Sequence, residues 1–283
     1  MNTLLHHTCA GAHLRRRSTH RARVCSVCAT AGEEAPSHEK RALLFGCTRT
    51  FGASLVSRLV ARGWAVTAVC YRASSQPGLA AAGASSVLCG DATDDAFVHS
   101  CFAVSSPGVV VCAAASSRGA AKTACDTAER AASAVLDAAL WIGTVKRFVL
   151  ISALGAGDSL ECVPAISREP LRLFLSSKEA AEARLRAVGG GAFEWVVLRP
   201  GPLEEGEGSG RPVATLDAAS GKAFSPLSRA ALAQVCVDAM LAPNAGGRVL
   251  SILDAGAVVV ATPQLRGVEP WEEPPFVEYV LDT

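Results

Sequence analysis

The sequence is poor in aromatic residues and in long apolar runs, and both absences limit what it can be. Only 5% of its 283 residues are Phe, Trp or Tyr, whereas 50% are hydrophobic. We therefore expect a full core in which alanine-rich helices pack closely against a sheet. No apolar run approaches the roughly 18–20 residues needed to cross a bilayer. The sequence therefore predicts no transmembrane segment.

Acidic residues are missing from the first 32 positions. This stretch contains five arginines and four histidines, and the first acids are Glu33 and Glu34. An arginine-rich, acid-free leader with serine and threonine is typical of an organelle transit peptide, whereas a secretory signal needs a continuous apolar core. We predict a disordered transit peptide over residues 1–36 that directs the protein to the plastid (chloroplast stroma), with the mitochondrion as the alternative. The competing interpretation is a basic arm for nucleic acid.

The charge of the remaining chain argues against that competing interpretation. Removing residues 1–32 leaves 22 basic and 26 acidic residues, so the net charge changes from +1 to −4. A mildly acidic domain is a poor candidate for binding nucleic acid or an anionic membrane surface. We therefore predict no nucleic-acid partner.

Closely paired cysteines are also scarce among the eleven present. The one close pair, Cys25-x-x-Cys28, lies in the predicted leader, so we predict no metal site and reduced thiols. Four others share a position at the carboxyl end of a predicted strand: Cys47, Cys70, Cys89 and Cys112. That edge of an open α/β sheet binds ligands. We interpret these cysteines as small buried residues, with a thiol switch beside a ligand as the alternative.

A strand, a glycine turn and a helix follow one another between residues 41 and 63. Residues 42–46 read as a buried parallel strand, and apolar residues recur at helical spacing from Phe51 until Gly63. The free N–H groups and dipole of such a helix start bind phosphate. We predict that this turn holds a diphosphate through Gly46, Thr48, Arg49, Thr50, Phe51 and Gly52. The middle glycine of the usual three is missing, and an ordinary turn without ligand is the alternative.

The residue after the second strand indicates which dinucleotide is bound. An acid there bonds the free 2′-hydroxyl of NAD, whereas an arginine accommodates the 2′-phosphate of NADP. Here residues 64–70 form the strand and Arg72 follows it, with Arg49 close by in the turn. Because guanidinium groups give planar, charge-assisted donors to a phosphate, we predict NADP(H).

Further strands and helices alternate along the rest of the chain. Strands are predicted at 86–89, 108–112, 147–152, 193–198 and 248–252, and helices at 120–142, 169–188 and 228–241. This alternation predicts the α/β class, a Rossmann-type doubly wound parallel sheet with helices on both faces. We expect one domain over residues 37–283, with a small substrate or flap region from about residue 200. After the fourth strand, Ala113, Ala114 and Ala115 leave room for a flat cofactor.

Residues 41 to about 252 resemble an atypical short-chain dehydrogenase/reductase of the NmrA-like group, including its plastid members. The matching motifs are Gly46-x-Thr48-x-x-x-Gly52, Arg72, CGDATD at 89–94, VKRFVLISALGA at 145–156, Lys178-x-x-x-Glu182 and LRPGPL at 198–203. The resemblance implies a one-domain fold that binds NADP(H). It implies that Asp91 and Ala92 flank the adenine. It also implies that Ser152 and Lys178 approach the nicotinamide ribose, and that Pro200 and Gly201 back the nicotinamide.

The sequence departs from that family in its catalytic residues. A conventional member reduces a carbonyl with a Tyr-x-x-x-Lys pair, but here Phe174 stands four residues before Lys178. The two tyrosines, Tyr71 and Tyr279, lie in other parts of the sequence. Conventional members also have an asparagine in their catalytic tetrad. It has no counterpart here, because the asparagines of this sequence are Asn2 and Asn244.

Three functions follow from this pattern. The first is an NADP(H)-dependent reductase or isomerase of a small molecule, with Lys178 as the base and Ser152 orienting the substrate. The second is a non-catalytic NADP(H) sensor or an assembly or stability factor with protein partners in the plastid. The third is a scaffold that has lost the cofactor. In each, Lys178 has the alternative of pairing with Glu182 one helical turn away.

Overall fold

The computed structural model describes residues 23–26, 37–47, 49–114, 122–206, 208, 212–215, 223–254 and 259–260. The helices are α1 (Arg49–Val60), α2 (Gln76–Ala81), α3 (Asp95–Ser105), α4 (Lys122–Ile142), α5 (Ala165–Gly189) and α6 (Arg229–Leu241). The strands are β1 (Arg23–Ser26), β2 (Arg41–Phe45), β3 (Ala65–Cys70), β4 (Ser86–Cys89), β5 (Val109–Cys112), β6 (Arg147–Ile151), β7 (Glu194–Pro200), β8 (Leu203–Glu204), β9 (Pro212–Thr215), β10 (Ala223–Phe224), β11 (Leu227–Ser228), β12 (Arg248–Asp254) and β13 (Val259–Val260). None of these helices is long and apolar enough to span a membrane.

Nine strands form one sheet in the order β1-β4-β3-β2-β5-β6-β7-β12-β9. The seven strands from β4 to β12 run parallel, and β1 and β9 add antiparallel edges. Strand β2 pairs with both β3 and β5, so the strand order reverses direction there. The crevice beyond the carboxyl ends of β2 and β5 is the topological switch point at which such sheets bind ligands. The predicted doubly wound parallel sheet is confirmed.

Helices cover both faces of this sheet, as the sequence predicts. Alternate residues of β2 belong to opposite cores: Leu44 packs with residues of α1, α2 and α6, whereas Leu43 and Phe45 pack with residues of α3, α4 and α5. Strands buried on both faces need continuous apolar sequence, which explains why β2 and β5 carry no polar alternation. Two side chains cap the helices that cover the sheet. Asp94 accepts from the N–H groups of Ala96 and Phe97, and Ser228 caps α6.

Helix α5 begins at Ala165 rather than near Glu169, so that Pro170 lies inside it. A proline in a helix removes the hydrogen bond to the carbonyl four residues earlier, here that of Ile166. Both Ile166 and Pro170 are exposed, so this missing hydrogen bond falls at the solvent-facing start of the helix, where water can reach the carbonyl.

Two predicted irregular regions contain strands. Within the predicted leader, the described residues Arg23–Ser26 pair with β4 as an antiparallel edge strand. The transit peptide itself stays a prediction. Within the predicted flap, Pro212–Thr215 pairs with β12 and extends the main sheet. Flap residues 207, 209–211 and 216–222 lie outside the described residues.

Candidate functional site

The glycine turn after β2 brings three elements into close contact at the switch point. Gly46 has a φ of +77°, and a Cβ there would collide with the carbonyl oxygen of Ala113 at the end of β5. A Cβ on Gly52 would lie 2.8 Å from backbone atoms of Cys47. The two glycines therefore allow the close packing that places the start of α1 at the crevice. Phe51 is buried beneath the turn. Thr48 and the side chain of Arg49 lie outside the described residues.

A carboxylate from a distant loop lies over this helix start. The hydroxyl of Thr50 donates to Oε2 of Glu205 at 2.7 Å, and Nε of Arg229 lies 3.3 Å from Oε1 of the same residue. Glu205 is half-exposed and belongs to the segment after β8. A negative side chain therefore stands where the free N–H groups of α1 would attract an anion, a feature that the sequence did not predict.

The ends of β3, β4 and β5 hold the residues predicted for the adenosine half of a dinucleotide. Arg72 follows β3 and is exposed. Asp91 follows β4 and accepts from the N–H and the hydroxyl of Thr93, both at 2.9 Å, with Ala92 half-buried beside it. After β5, Ala113 and Ala114 are half-buried, and Ala115 lies outside the described residues. The register of the parallel strands brings these positions to one edge of the sheet.

The ends of β6 and β7 hold the residues predicted for the nicotinamide half. Ser152 is buried just after β6, and its N–H donates to the carbonyl of Leu198 at 2.7 Å. Lys178 reaches this point from α5 and donates to the carbonyl of Ile151 at 3.2 Å. On the neighbouring strand, Gly201 follows Pro200 and packs so closely that a Cβ would collide with the carbonyl oxygen of Ser225.

Burial governs the protonation of Lys178. Its side chain is inside the core, and this desolvation lowers its pKa below the ordinary value of 10.5. The nearby side chains of Cys112 and Glu182 oppose the shift but are smaller effects. The ammonium lies 5.7 Å from the centroid of the Phe174 ring, which stands where a conventional member has its tyrosine. The neutral amine is therefore favoured more than in an exposed lysine.

A buried ion pair that the sequence analysis missed lies directly behind Ser152. Glu182 is fully buried and accepts from Nε and Nη2 of Arg199 at 3.0 and 2.7 Å. Arg199 also binds Asp158, and this hydrogen bond lowers the pKa of the Asp158 carboxyl. Among the described residues, Arg199 rather than Lys178 is the close partner of Glu182. An arginine after the apolar run Val-Val-Leu in a central strand was the available signal, because a buried charge needs a partner.

This ion pair fixes the orientation of the Ser152 hydroxyl. The Oγ of Ser152 lies 2.5 Å from Oε1 of Glu182. A carboxylate accepts only, so the serine must give its one proton to Glu182. The lone pairs of Oγ are then left to accept a hydrogen bond from another group.

A cleft of about 200 Å³ lies between the loop that follows β6 and α5, and neither Ser152 nor Lys178 lines it. Its lining includes Gly155, Gly157, Leu160, Arg168 and Leu175. Within the described ranges no cluster of three side chains could hold a metal ion.

Together the fold and the crevice define a Rossmann-type dinucleotide-binding protein. A family model described as NAD(P)H-binding matches residues 46–243, well over half of the chain. The chain belongs to this family. A search of curated proteins gives no significant match.

Solved structures show the same fold at low sequence identity. ChuY, an anaerobillin reductase from Escherichia coli O157:H7, is 24% identical with a TM-score of 0.61, over 76% of this chain and 97% of that one. A short-chain dehydrogenase/reductase from Veillonella parvula in complex with NADP is 14% identical with a TM-score of 0.59, over 79% and 99%. The UDP-glucose 4-epimerase of Thermotoga maritima is 17% identical with a TM-score of 0.58, over 78% of each chain.

Proposed function

We propose that the protein binds NADP(H) at the switch point and reduces or isomerises a small organic molecule with Lys178 in place of a Tyr-Lys pair. The observation that carries this proposal is a buried lysine of lowered pKa beside Ser152 at the nicotinamide end of the crevice. Bound NADP(H) would supply or accept a hydride. The composition of residues 1–32 supports a plastid location as part of the same proposal.

Lys178 is suited to moving a proton at the substrate. Because burial lowers its pKa, Lys178 gives up its proton more readily than an exposed lysine, which favours a role as a general base. Its Nζ is held by the carbonyl of Ile151, which keeps the group at the crevice floor. Ser152 would orient the substrate by accepting a hydrogen bond, since its proton is committed to Glu182. This favours a substrate that presents an O–H or N–H group to the serine.

The same residues support a second candidate, a sensor or an assembly factor that binds NADP(H) without turnover. Phe174 has no proton to give, and the serine proton that would polarise a carbonyl is bonded to Glu182. In that function Lys178 would bond the ribose hydroxyls. Both candidates need the same cofactor, so cofactor binding is tested first.

Three positions of the crevice support the binding of NADP(H). Gly46 and Gly52 make the close-packed turn, and the exposed Arg72 stands beyond β3. We expect Arg72→Ala in the full chain to weaken NADPH binding about 10- to 100-fold and to leave NADH binding unchanged. The reason is that a charge-assisted hydrogen bond to the 2′-phosphate contributes about 1.5–3 kcal/mol. Isothermal titration calorimetry with each nucleotide measures both effects.

Arg130→Ala provides the matched control, because Arg130 is an exposed arginine on α4. It should leave the affinity for NADPH unchanged. Equal loss of NADPH and NADH binding in Arg72→Ala would contradict the 2′-phosphate role. A wild-type chain that binds neither nucleotide would contradict both candidate functions.

Glu205 should oppose binding of the diphosphate because its carboxylate lies over the start of α1. We expect Glu205→Gln to tighten NADPH binding about two- to fivefold at low salt, in the range of exposed charge interactions. The difference should shrink as ionic strength rises. The control is Glu204→Gln, a change of the neighbouring exposed acid. Weaker NADPH binding in Glu205→Gln would show that the carboxylate instead supports the bound state.

A further inference from the structure

Cys70 and Cys89 face each other across the adenosine edge of the sheet. They are register partners on the adjacent parallel strands β3 and β4. Adjacent strands lie about 4.8 Å apart, within the roughly 4.4–6.8 Å that disulfides span between Cα atoms. Residues in register on parallel strands direct their side chains to the same face, and both cysteines pack against the core that includes α1.

The two thiols differ in exposure in the way that a reactive pair requires. The thiol of Cys89 is half-buried and donates to the carbonyl oxygen of Tyr71 at 3.5 Å, so it reaches across to the end of β3. Cys70 is 1% exposed directly beneath that point. Among the cysteines whose side chains the structure describes, Cys89 is the one that is not buried.

The other strand-end cysteines, Cys47 and Cys112, are not register partners of a cysteine on β2, β3 or β5. Cys112 packs in the core on the opposite face of the sheet. Cys47 is buried and donates to the carbonyl of Leu44 at 3.4 Å, which directs its thiol along its own strand. The pairing on adjacent strands therefore singles out Cys70 and Cys89.

We propose that Cys70 and Cys89 form a reversible disulfide that weakens cofactor binding. The disulfide is independent of the proposed function, whereas its effect on binding rests on it. The oxidant is a small disulfide such as oxidised glutathione. The thiolate of Cys89 attacks one sulfur of the oxidant, which releases one thiol and leaves a mixed disulfide on Cys89. The thiol of Cys70 then gives up its proton as its sulfur displaces the second thiolate of the oxidant, which takes up that proton. Two protein thiols are thereby oxidised, and one disulfide is reduced to two thiols.

The residues that follow the two cysteines explain how a disulfide would affect cofactor binding. Arg72 lies two residues after Cys70, and Asp91 lies two residues after Cys89. A disulfide needs the two Cβ atoms about 3.8 Å apart, closer than neighbouring strands normally hold them. Closing the bond therefore draws the two strand ends together and changes the spacing of the groups that must hold adenosine and its phosphate. A bond formed under such strain is readily reduced again.

Peptide mapping tests the disulfide without reference to any ligand. The full chain is incubated with oxidised glutathione, blocked with N-ethylmaleimide and digested with trypsin and Asp-N. Cleavage then separates peptide 42–49 with Cys47, peptide 63–72 with Cys70 and peptide 73–90 with Cys89. The proposal requires a 63–72/73–90 link that dithiothreitol removes. A 42–49/63–72 link, or no link to Cys70, overturns it.

NADPH titration of the same samples tests the consequence. We expect oxidation to raise the dissociation constant about tenfold, dithiothreitol to restore it, and Cys89→Ser to abolish the response. Cys89→Ala serves if the serine variant misfolds, and Cys101→Ala on α3 is the control that keeps the response. A linked chain with unchanged affinity overturns regulation by this disulfide. A reduced chain that binds no NADPH instead contradicts the proposed function, while the peptide map still decides whether the disulfide forms.

Discussion

Replacing Arg199 by methionine is expected to lower the free energy of unfolding by up to about 3–5 kcal/mol. The change leaves the buried carboxylate of Glu182 with the Ser152 hydroxyl and the half-exposed Arg186 guanidinium, 3.6 Å away, as its remaining partners. Arg199 supplies two of the hydrogen bonds that Glu182 accepts, and both side chains are inside the core. Methionine fills similar space but offers no donor. For a domain of this size the loss corresponds to a melting temperature lower by roughly 6–20 °C. Urea denaturation and thermal melts of the full chain measure it.

A second substitution separates the lost charge pair from lost packing. Glu182→Gln added to Arg199→Met removes the buried charge and should restore a large part of the stability. Arg172→Met is the control, since Arg172 and its partner Glu169 are both exposed and their ion pair contributes at most about 1 kcal/mol. If Arg199→Met were no more destabilising than Arg172→Met, the buried network would not support the floor of the site.

The sheet could be predicted because its strands leave a local pattern in the sequence. Short apolar runs such as Val109–Cys112 have no polar alternation and are followed by glycine, alanine or a charged residue. These runs predict buried parallel strands, and their alternation with helices predicts the topology. Edge strands such as β9 leave no comparable pattern, because their pairing depends on a partner far away in the chain.

The sequence predicts where the residues of the site lie, but it does not predict which hydrogen bonds they make. The rule that ligands bind at the carboxyl ends of parallel strands predicts the positions of Arg72, Asp91 and Ser152. Whether Ser152 donates toward the crevice or away from it depends on Glu182, which lies 30 residues further along the chain. The contact between Thr50 and Glu205 joins residues 155 positions apart. Such long-range polar contacts leave no periodicity to detect.

Replacing Lys178 by methionine should stabilise the protein while removing any turnover that depends on the amine. Lys178 is buried and its pKa is lowered by desolvation, so wild-type folding at neutral pH has a cost that methionine avoids. We expect a gain of about 1–2 kcal/mol in the free energy of unfolding. Turnover of NADPH with a reducible carbonyl substrate should fall at least 100-fold, the range of a lost general acid–base group.

The stability gained in Lys178→Met has two possible causes, removal of the buried amine or better packing of methionine. Its dependence on pH distinguishes them. Between the lowered folded pKa and the ordinary value of 10.5, the unfolded chain binds more protons than the folded chain. The free energy of unfolding of the wild-type protein therefore rises with pH across this window. In the methionine variant, residue 178 does not titrate and makes no such contribution. The advantage of Lys178→Met should shrink as the pH approaches 10.5. Urea denaturation at several pH values measures it, with Lys146→Met as the exposed control.

The stability and the turnover of Lys178→Met together distinguish a catalytic role of Lys178 from a role in cofactor binding alone. A variant that gains stability and loses turnover indicates a buried amine retained for chemistry, in keeping with strained groups at active sites. A variant that gains stability and only weakens NADPH binding favours the sensor, in which the amine bonds the ribose. An advantage that stays constant with pH would contradict the desolvated lysine on which the reductase or isomerase function depends, because the protonation difference between the folded and unfolded chains would then be absent.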